Sequence, residues 1–351
     1  MNYFLFKLRF ETAVHFGPSD AALSLAASEE HVRADTLFSA LCQMALCLYG
    51  PEGVEELCEQ VQEGKLLLSD TMPWRGDTLF LPKPVTPVET EQDLPSDQKK
   101  KRKKQRWIPV SAWKDYATAL QSSSSVTEQA CCTLFGRHME RTKAATPQGS
   151  DAQPYQVGLF QYKGTCGEEK REECQHCPNA RSCCGLYFLC ACQPEQIDRL
   201  TKLVSALGLS GLGGKTSAGF GKFRIAGEEE RPVALEGSQE LQSLGRSLAA
   251  QKGPYLLLTT SLPEEEELEG ALKDGDFRLI RRSGFVQAEL STAMKKRSQY
   301  FLSAGAVLQA PFQGALYQVG HTGAHPVYRY GRPLLLGVAE CKSWVICRSM
   351  T

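Results

Sequence analysis

Apolar and polar residues alternate from the start of the chain. Phe4, Phe6, Leu8 and Phe10 fall on one face of MNYFLFKLRF, and a period of two predicts a half-buried strand. The period then becomes helical: Leu37, Leu41, Met44, Ala45 and Leu48 form an apolar stripe over residues 36–49, which predicts a buried helix. Asp35 stands at its N-cap position, where a carboxylate accepts a first-turn N–H. Gly50-Pro51 ends that helix, and Val54, Leu57, Cys58 and Val61 mark a second, more acidic one that stops near Gly64. Residues 65–69 and 78–81 read as a strand pair, with Trp74-Arg75-Gly76-Asp77 in the turn between them.

From about Lys83 the pattern dissolves. Pro82, Pro84, Pro87 and Pro95, a basic run and the serines 122–125 predict a long insertion, about residues 84–184, with little core of its own. Alternation returns at 156–163 and at 185–192 (GLYFLCAC). Residues 194–207 then place Ile197, Leu200, Leu203, Val204 and Leu207 on one helical face, opened by Pro194 and capped by Gly208. Residues 219–226 alternate as a strand, with Phe223 and Ile225 against Lys222 and Arg224. With the insertion set aside, the order is strand, helix, strand, strand, helix, strand, the ferredoxin-like order that also underlies RNA-recognition domains. After an acidic hinge near 227–250 a smaller, strand-heavy domain is expected, with strands at 255–260, around 277–290, at 299–308 and at 334–339 and a short acidic helix.

A length of 351 residues fits two such domains. The formal charge is zero, which argues against a free-standing nucleic-acid binder with a strongly basic surface. The zero hides segregation: residues 99–106 (KKKRKKQR) carry seven cations, whereas 228–230 and 264–267 are runs of glutamate. Such a basic run is either a solvated loop or a nucleic-acid contact, and both readings stand. No apolar stretch reaches the length of a membrane span and the first residues read as a strand rather than a signal peptide, so a soluble, cytoplasmic protein is expected. Its 14 cysteines are then core residues and metal ligands rather than disulfides.

Glycine is concentrated in GLSGLGGKTSAGFGKF, residues 208–223, where Gly208, Gly211, Gly213, Gly214, Gly219 and Gly221 fall within fourteen positions. Glycine permits positive φ and close backbone approach, and turns of exposed N–H groups bind anions. Lys215 and Lys222 add charge, and Thr216 and Ser217 add hydroxyls. Gly214-Lys215-Thr216 imitates the end of a nucleotide-binding P-loop, but Leu209 stands where the first glycine belongs, and the loop follows a helix and precedes a strand. A backbone-binding or subunit-contacting loop fits better, and a structural turn is the remaining reading.

Cys166, Cys174, Cys177, Cys183 and Cys184 are spaced C-x7-C-x2-C-x5-C-C. Four thiolates, Cys166, Cys174, Cys177 and Cys183, suit a tetrahedral structural zinc site, and a small polar segment needs such a staple to fold; an iron–sulfur cluster or plain thiols are the alternatives. Of the histidines 15, 31, 138, 176, 321 and 325, none lies in a readable signature for general acid or base work. Asp35, Asp70 and Asp77 fall at turn or cap positions, and no Ser or Cys nucleophile motif is present, so no enzymatic activity is expected. Arginine–aromatic motifs point elsewhere. Arg137, His138 and Arg141 follow Leu134-Phe135, Arg281 and Arg282 precede Phe285, and Arg329 and Arg332 flank Tyr330. Each alone reads equally as a solvated strand face; beside the glycine loop they favour RNA, whose phosphates arginine pairs and whose bases aromatics stack.

Four segments then carry a resemblance: residues 32–41 (VRADTLFSAL), 79–84 (LFLPKP), 211–221 (GLGGKTSAGFG) and 325–331 (HPVYRYG). Together, in order from first strand to last, they resemble the fourth Csm subunit of type III-A CRISPR interference complexes, within the repeat-associated mysterious proteins (RAMPs); only about residues 90–184 are poorly covered. The resemblance implies an α+β chain of two ferredoxin-like (RRM-like) domains, 1–232 and 250–351, the first carrying a thumb-like insertion that kinks a guide RNA; the zinc-bound tip on that insertion comes from the cysteine spacing and departs from the family pattern. It implies a non-catalytic subunit of antiviral defence that grips the guide's 5′ repeat-derived tag. Its partners would be the large polymerase-like subunit and the first backbone RAMP subunit, with target RNA nearby. The RNA-binding set expected from the motifs and the resemblance together is Lys83, Arg137, His138, Arg141, Gly211, Gly213, Gly214, Lys215, Thr216, Ser217, Gly219, Lys222, Arg281, Arg282, Arg329 and Arg332. A guide-RNA-processing, metal-independent ribonuclease, using His31 or His138, is the second reading, because repeat-cleaving relatives share fold and loop. A zinc-stabilised protein-interaction module is the third.

Overall fold

The computed structural model describes residues 1–18, 25–85, 105–122, 135–145, 151, 153–162, 184–236, 238–286, 294–322 and 325–337. Strand β1 (Asn2–Phe10) forms as its alternation predicts. Helix α1 (Ala34–Gln62) follows and is kinked where Gly50 adopts φ 72°, ψ −167°, so the expected break at Gly50-Pro51 separates two arms. Leu37, Leu41, Met44 and Ala45 are buried, but Leu48, expected in the same stripe, faces solvent. Asp35 is not the N-cap. Arg33 holds that position without a side-chain bond, and the N–H of Ala34 donates instead to Asp70 Oδ1 at 2.8 Å, so the cap comes from the turn between the next two strands.

Those strands are β2 (Leu66–Leu68), β3 (Met72–Arg75) and β4 (Thr78–Pro82). The expected pairing is corrected: β3 and β4 make the hairpin, with Trp74 opposite Leu79 and Arg75 opposite Thr78, and β2 pairs with the strand at 184–192. Trp74 and Arg75 are therefore strand residues, and both are buried. The insertion also contributes to the core, against expectation. Strand β5 (Trp107–Pro109) pairs with β4, helix α2 (Trp113–Ser122) follows, and Trp107, Ile108, Val110, Trp113 and Tyr116 pack with Trp74 and Phe80. Strands β6 (Gly136–Ala145) and β7 (Gln153–Tyr162) pair in unbroken register along their whole length.

Strand β8 (Cys184–Cys192) is buried at all nine positions, because it lies in the middle of an antiparallel sheet covered on both faces. Leu186, Phe188, Cys190 and Cys192 face α1 and helix α3 (Ile197–Ser210), while Tyr187, Leu189 and Ala191 face α2 and residues of the C-terminal half. This double burial accounts for the continuous apolar run GLYFLCAC. Helix α3 runs past the expected cap at Gly208 to end at Gly211 (φ 98°). At Gly208 a Cβ would stand 2.4 Å from the Phe223 carbonyl oxygen, so glycine there allows helix and strand to touch. Strand β9 (Phe223–Ile225) pairs with β1, as does β10 (Val233–Ala234). The expected acidic hinge holds β10 and helix α4 (Gln239–Leu248), which sends Leu244 and Leu248 into the core and is capped by Ser238.

The C-terminal half contains β11 (Tyr255–Leu257), helix α5 (Leu268–Leu272), β12 (Leu279–Arg282), β13 (Gln299–Leu302), β14 (Val307–Leu308), β15 (Leu316–His321), β16 (Pro326–Tyr330) and β17 (Leu335–Leu336). Among the described residues these strands make three small antiparallel sheets, β14-β11-β17, β12-β13 and β15-β16. Leu256, Leu258, Val307, Leu334 and Leu336 join the core lined by Tyr187 and Leu189, and Tyr330 joins the α1 core. Polar ties cross the same boundary: Thr259 Oγ1 donates to the Leu68 carbonyl at 2.8 Å, and the Leu68 N–H donates to Tyr330 Oη at 2.8 Å. The fold is thus mixed α/β with antiparallel sheets.

Candidate nucleic-acid interface

The glycine loop is a tight, internally packed turn. Gly211, Gly213, Lys215, Gly219 and Gly221 all have positive φ, conformations that residues with a Cβ resist. It docks on the segment after β1: the Gly214 N–H donates to the His15 carbonyl at 2.8 Å and the Gly221 N–H to the Ala13 carbonyl at 2.9 Å. A Cβ at Gly213 would lie 2.6 Å from the His15 carbonyl oxygen, and one at Gly214 2.7 Å from the His15 ring. Glycine at these two positions therefore serves packing within the chain. Gly219 has open space around it, and Ser217 and Lys222 are exposed while Lys215 and Thr216 are half-buried.

The β6–β7 hairpin stands against this loop. Its register sets Arg137, Met139, Arg141 and Lys143 opposite Gln161, Leu159, Val157 and Tyr155, and facing residues of an antiparallel pair share one side. Val157, Leu159 and Met139 pack with Phe220 of the loop. Beyond that apolar contact the cations gather: Lys143 Nζ lies 4.9 Å and the Arg141 guanidinium 5.7 Å from the centre of the Phe220 ring, and Lys215 Nζ lies 5.3 Å from that of Tyr155. Such contacts hold a cation over a ring face without an anionic partner, leaving its charge available to a phosphate. His15 Nδ1 donates to the Gly158 carbonyl at 2.6 Å, tying loop, β1 segment and hairpin into one body. Lys143, Tyr155 and Phe220 were missed in the sequence; the alternation R-H-M-E-R-T-K was the signal that could have found Lys143.

The remaining expected residues scatter. Arg137 is exposed and donates to Gln161 Oε1 at 3.3 Å. His138 lies on the other face of the hairpin, its Nε2 3.2 Å from Glu30 Oε1. Lys83 is half-buried, its backbone N–H held by the Arg106 carbonyl, away from the loop's contacts. Arg281 is exposed and donates to Ser298 Oγ at 3.3 Å. Arg282 and Arg329, expected to reach RNA, are buried instead. Arg282 donates to both carboxylate oxygens of Asp35 at 2.9 and 2.7 Å, and Arg329 donates to the Arg297 carbonyl at 2.9 Å and to Gln299 Oε1 at 3.1 Å. Their guanidinium groups are engaged inside the protein, which removes them from the interface. Arg332 donates to the Gln62 carbonyl at the end of α1.

This interior cluster is strongly cationic. Burial would raise the Asp35 carboxyl, but the Arg282 charge and its hydrogen bonds, with Arg329 and Arg33, hold it below the ordinary carboxylate value. Burial lowers Lys296 and Arg329. At His31, burial and then Arg33, Arg106 and Arg282 push the imidazole down to about 3, so it is neutral at physiological pH. Cys166, Cys174, Cys177, Cys183 and residues 99–104 lie outside the described residues; Cys184, their neighbour, begins β8 and is buried. Among the described residues no group of three or more His, Cys, Asp or Glu side chains is arranged to hold a metal ion, and no helix is long and apolar enough to cross a membrane.

Residues 250–338 match the family model of the CRISPR Csm4 C-terminal domain. The "CRISPR system Cms protein Csm4" of Mycobacterium tuberculosis is 35% identical over 344 residues, spanning 97% of this chain and 99% of its own length; that of Streptococcus thermophilus is 26% identical over 343 residues, spanning 95% and 98%. Among solved structures, a Csm1-Csm4 cassette in complex with cA4 superposes with a TM-score of 0.58 at 17% identity, covering 96% of this chain and 98% of that one. The Csm3-Csm4 subcomplex of a type III-A CRISPR-Cas interference complex gives 0.57 at 16% identity, covering 96% and 99%.

Proposed function

Because the chain belongs to the Csm4 family of CRISPR subunits, we propose that it is the non-catalytic RNA-gripping subunit of a type III-A effector complex, acting in cytoplasmic antiviral defence. It holds the 5′ repeat-derived tag of the guide RNA and joins the large polymerase-like subunit to the backbone, with target RNA nearby. The two protein partners are suggested by relatives crystallised as Csm1-Csm4 and Csm3-Csm4. Strands β9, β1, β8 and β2 pair in that order and, with α1 and α3, are read as a ferredoxin-like unit of the kind RNA-recognition domains use. The cysteines 166, 174, 177 and 183 are read as a zinc-bound tip on the insertion.

One observation carries the RNA reading: Arg141, Lys143 and Lys215 converge on Phe220 and Tyr155 where hairpin and glycine loop meet. Cations beside rings are what a single strand requires, phosphate contacts giving affinity and base stacking adding to it. For the ribonuclease alternative, an imidazole held near 3 makes His31 a poor proton acceptor at neutral pH, whereas His138 stands exposed beside Glu30, so a cleavage assay decides that reading. The test is an assembled complex carrying Lys143→Ala and Lys215→Ala. It is expected to retain several-fold less guide RNA at equal subunit content, and the wild-type chain is expected to leave repeat RNA uncut in EDTA. Undiminished guide retention sinks the grip, and metal-independent cleavage by the purified chain makes it a nuclease.

A further inference from the structure

The β12–β13 hairpin presents a second surface, one the hairpin–loop interface does not use. Tyr300, Leu279 and Phe285 are 62%, 58% and 57% exposed, more than any other large apolar side chain described except Leu209. Arg281 lies directly opposite Tyr300, and Phe285 bridges to Lys295, so each ring has a cation as its cross-strand neighbour on the same face. Residues 277–302 hold Arg278, Arg281, Arg282, Lys295, Lys296 and Arg297 against Glu289 as their one acid, in a chain of zero formal charge. Arg278, Arg281, Lys295 and Arg297 are exposed.

The opposite side of the hairpin is fixed in place. Arg282, adjacent to Arg281, points inward to Asp35, and Gln299, adjacent to Tyr300, receives Arg329. The Lys296 N–H donates to the Gly284 carbonyl at 2.9 Å and the Val286 N–H to the Met294 carbonyl at 2.8 Å, extending the pairing to the level of Phe285. The rings thus stand on a hydrogen-bonded ribbon whose other side is anchored to the core.

We propose that this face is a stacking platform for single-stranded RNA, with Tyr300 and Phe285 each taking a base and Arg281 and Lys295 taking the backbone. The proposal rests on the RNA-binding reading above and adds a second point of contact to it. The alternation of ring and cation favours RNA over a protein partner. A protein interface concentrates apolar residues at its centre and leaves charge to its rim, whereas a single strand needs a π-face and a positive charge at each step.

The test uses the full-length chain and a fluorescein-labelled, unstructured oligouridylate, followed by anisotropy over a salt series. Phe285→Ala with Tyr300→Ala is expected to weaken binding at least about fivefold, the low end of one base–aromatic stack, with the salt slope unchanged. Arg281→Gln with Lys295→Gln is expected to reduce the salt slope by about 1.4, about 0.7 for each phosphate of a single strand that is no longer neutralised, and Tyr300→Phe should behave as wild type. The side chains replaced on this face are all exposed, and circular dichroism of each variant checks that it folds. If the double alanine variant binds oligouridylate like wild type while Lys143→Ala with Lys215→Ala does not, the platform is wrong and the grip stands. If it binds RNA normally but loses a protein subunit on co-purification, the face is a protein interface. If the wild-type chain does not bind oligouridylate at all, both readings fail together.

Discussion

Arg282 and Asp35 are 247 positions apart in sequence and joined by two charge-assisted hydrogen bonds, fastening the C-terminal ribbon to the first turn of α1. Both side chains are under a tenth exposed, and Arg329 Nε lies 3.8 Å from the same carboxylate. Asp35→Ala leaves two buried guanidinium groups without their anion. Breaking a buried pair this way costs about 3–5 kcal/mol. Arg282→Met should cost less, because Asp35 keeps Arg329 and the new side chain fills the space. Urea unfolding of the two variants checks the order; an Asp35→Ala loss no larger than that of Arg282→Met would show that the clamp does not stabilise the fold.

Two buried aspartates respond to pH with opposite sign. At Asp35 the burial penalty is outweighed by Arg282, so the pKa lies below 3.8; its stabilisation is complete above 3.8 and is lost as pH falls through the lower folded value. At Asp70 burial prevails over the hydrogen bonds from Thr260 and Ala34 and raises the pKa above 3.8. Stability there declines as pH rises from 3.8 through the raised value. Asp35→Asn should therefore be more damaging at pH 7 than at pH 3, and Asp70→Asn less damaging at pH 7 than at pH 3. Denaturant melts at both pH values decide it; the same sign for both variants contradicts the assignment.

The strand at 2–10, the two arms of α1 and the helix at 197–210 were legible because each follows from one periodicity within one segment. Asp35 was misread for the complementary reason. A cap is a local inference, and nothing near residue 35 announces that its partner is Arg282. The same holds for Arg329, whose motif looks like a solvated strand face until Gln299 and the Arg297 carbonyl are brought beside it. Trp107 and Trp113 were hidden by their neighbours: prolines and lysines before them gave the segment the composition of a loop, and their burial depends on β4 and Phe80. The glycine loop stood out as a feature, but composition shows that a Cβ is excluded without showing what excludes it, and at Gly213 and Gly214 it is His15 that does so. The convergence of Lys143 on Phe220 joins residues 77 positions apart and has no signature in either segment alone.

The cysteine spacing leads to a compositional prediction. If Cys166, Cys174, Cys177 and Cys183 share one ion, elemental analysis of gently purified protein should give about one zinc per chain. Cys174→Ser with Cys177→Ser should abolish that zinc and increase protease cleavage between residues 163 and 183, because a small thiolate-rich segment owes its folding to the metal. Zinc below roughly a tenth of the single-site stoichiometry refutes the site, as does full zinc content in the double variant.

Gly214 and Gly219 separate packing from ligand approach within one loop. At Gly214 a side chain would press on a His15 ring that cannot swing away without giving up its bond to the Gly158 carbonyl on β7. Gly214→Val should therefore displace the loop from the β6–β7 hairpin, separate Lys215 from Lys143 and Arg141, and lower thermal stability together with RNA retention. At Gly219 nothing lies within 4 Å of an added Cβ and only the backbone angle, φ 84°, opposes it; the cost there is about 1 kcal/mol or slightly more. Gly219→Ala should thus keep the loop docked. Any RNA binding it loses beyond that small destabilisation reports a ligand passing over the open side of the turn. Comparing melting temperature and guide-RNA retention for the two variants checks this directly. Gly214→Val with wild-type stability would show that the His15 contact does not hold the loop, and the hairpin and loop could then no longer be treated as one rigid grip.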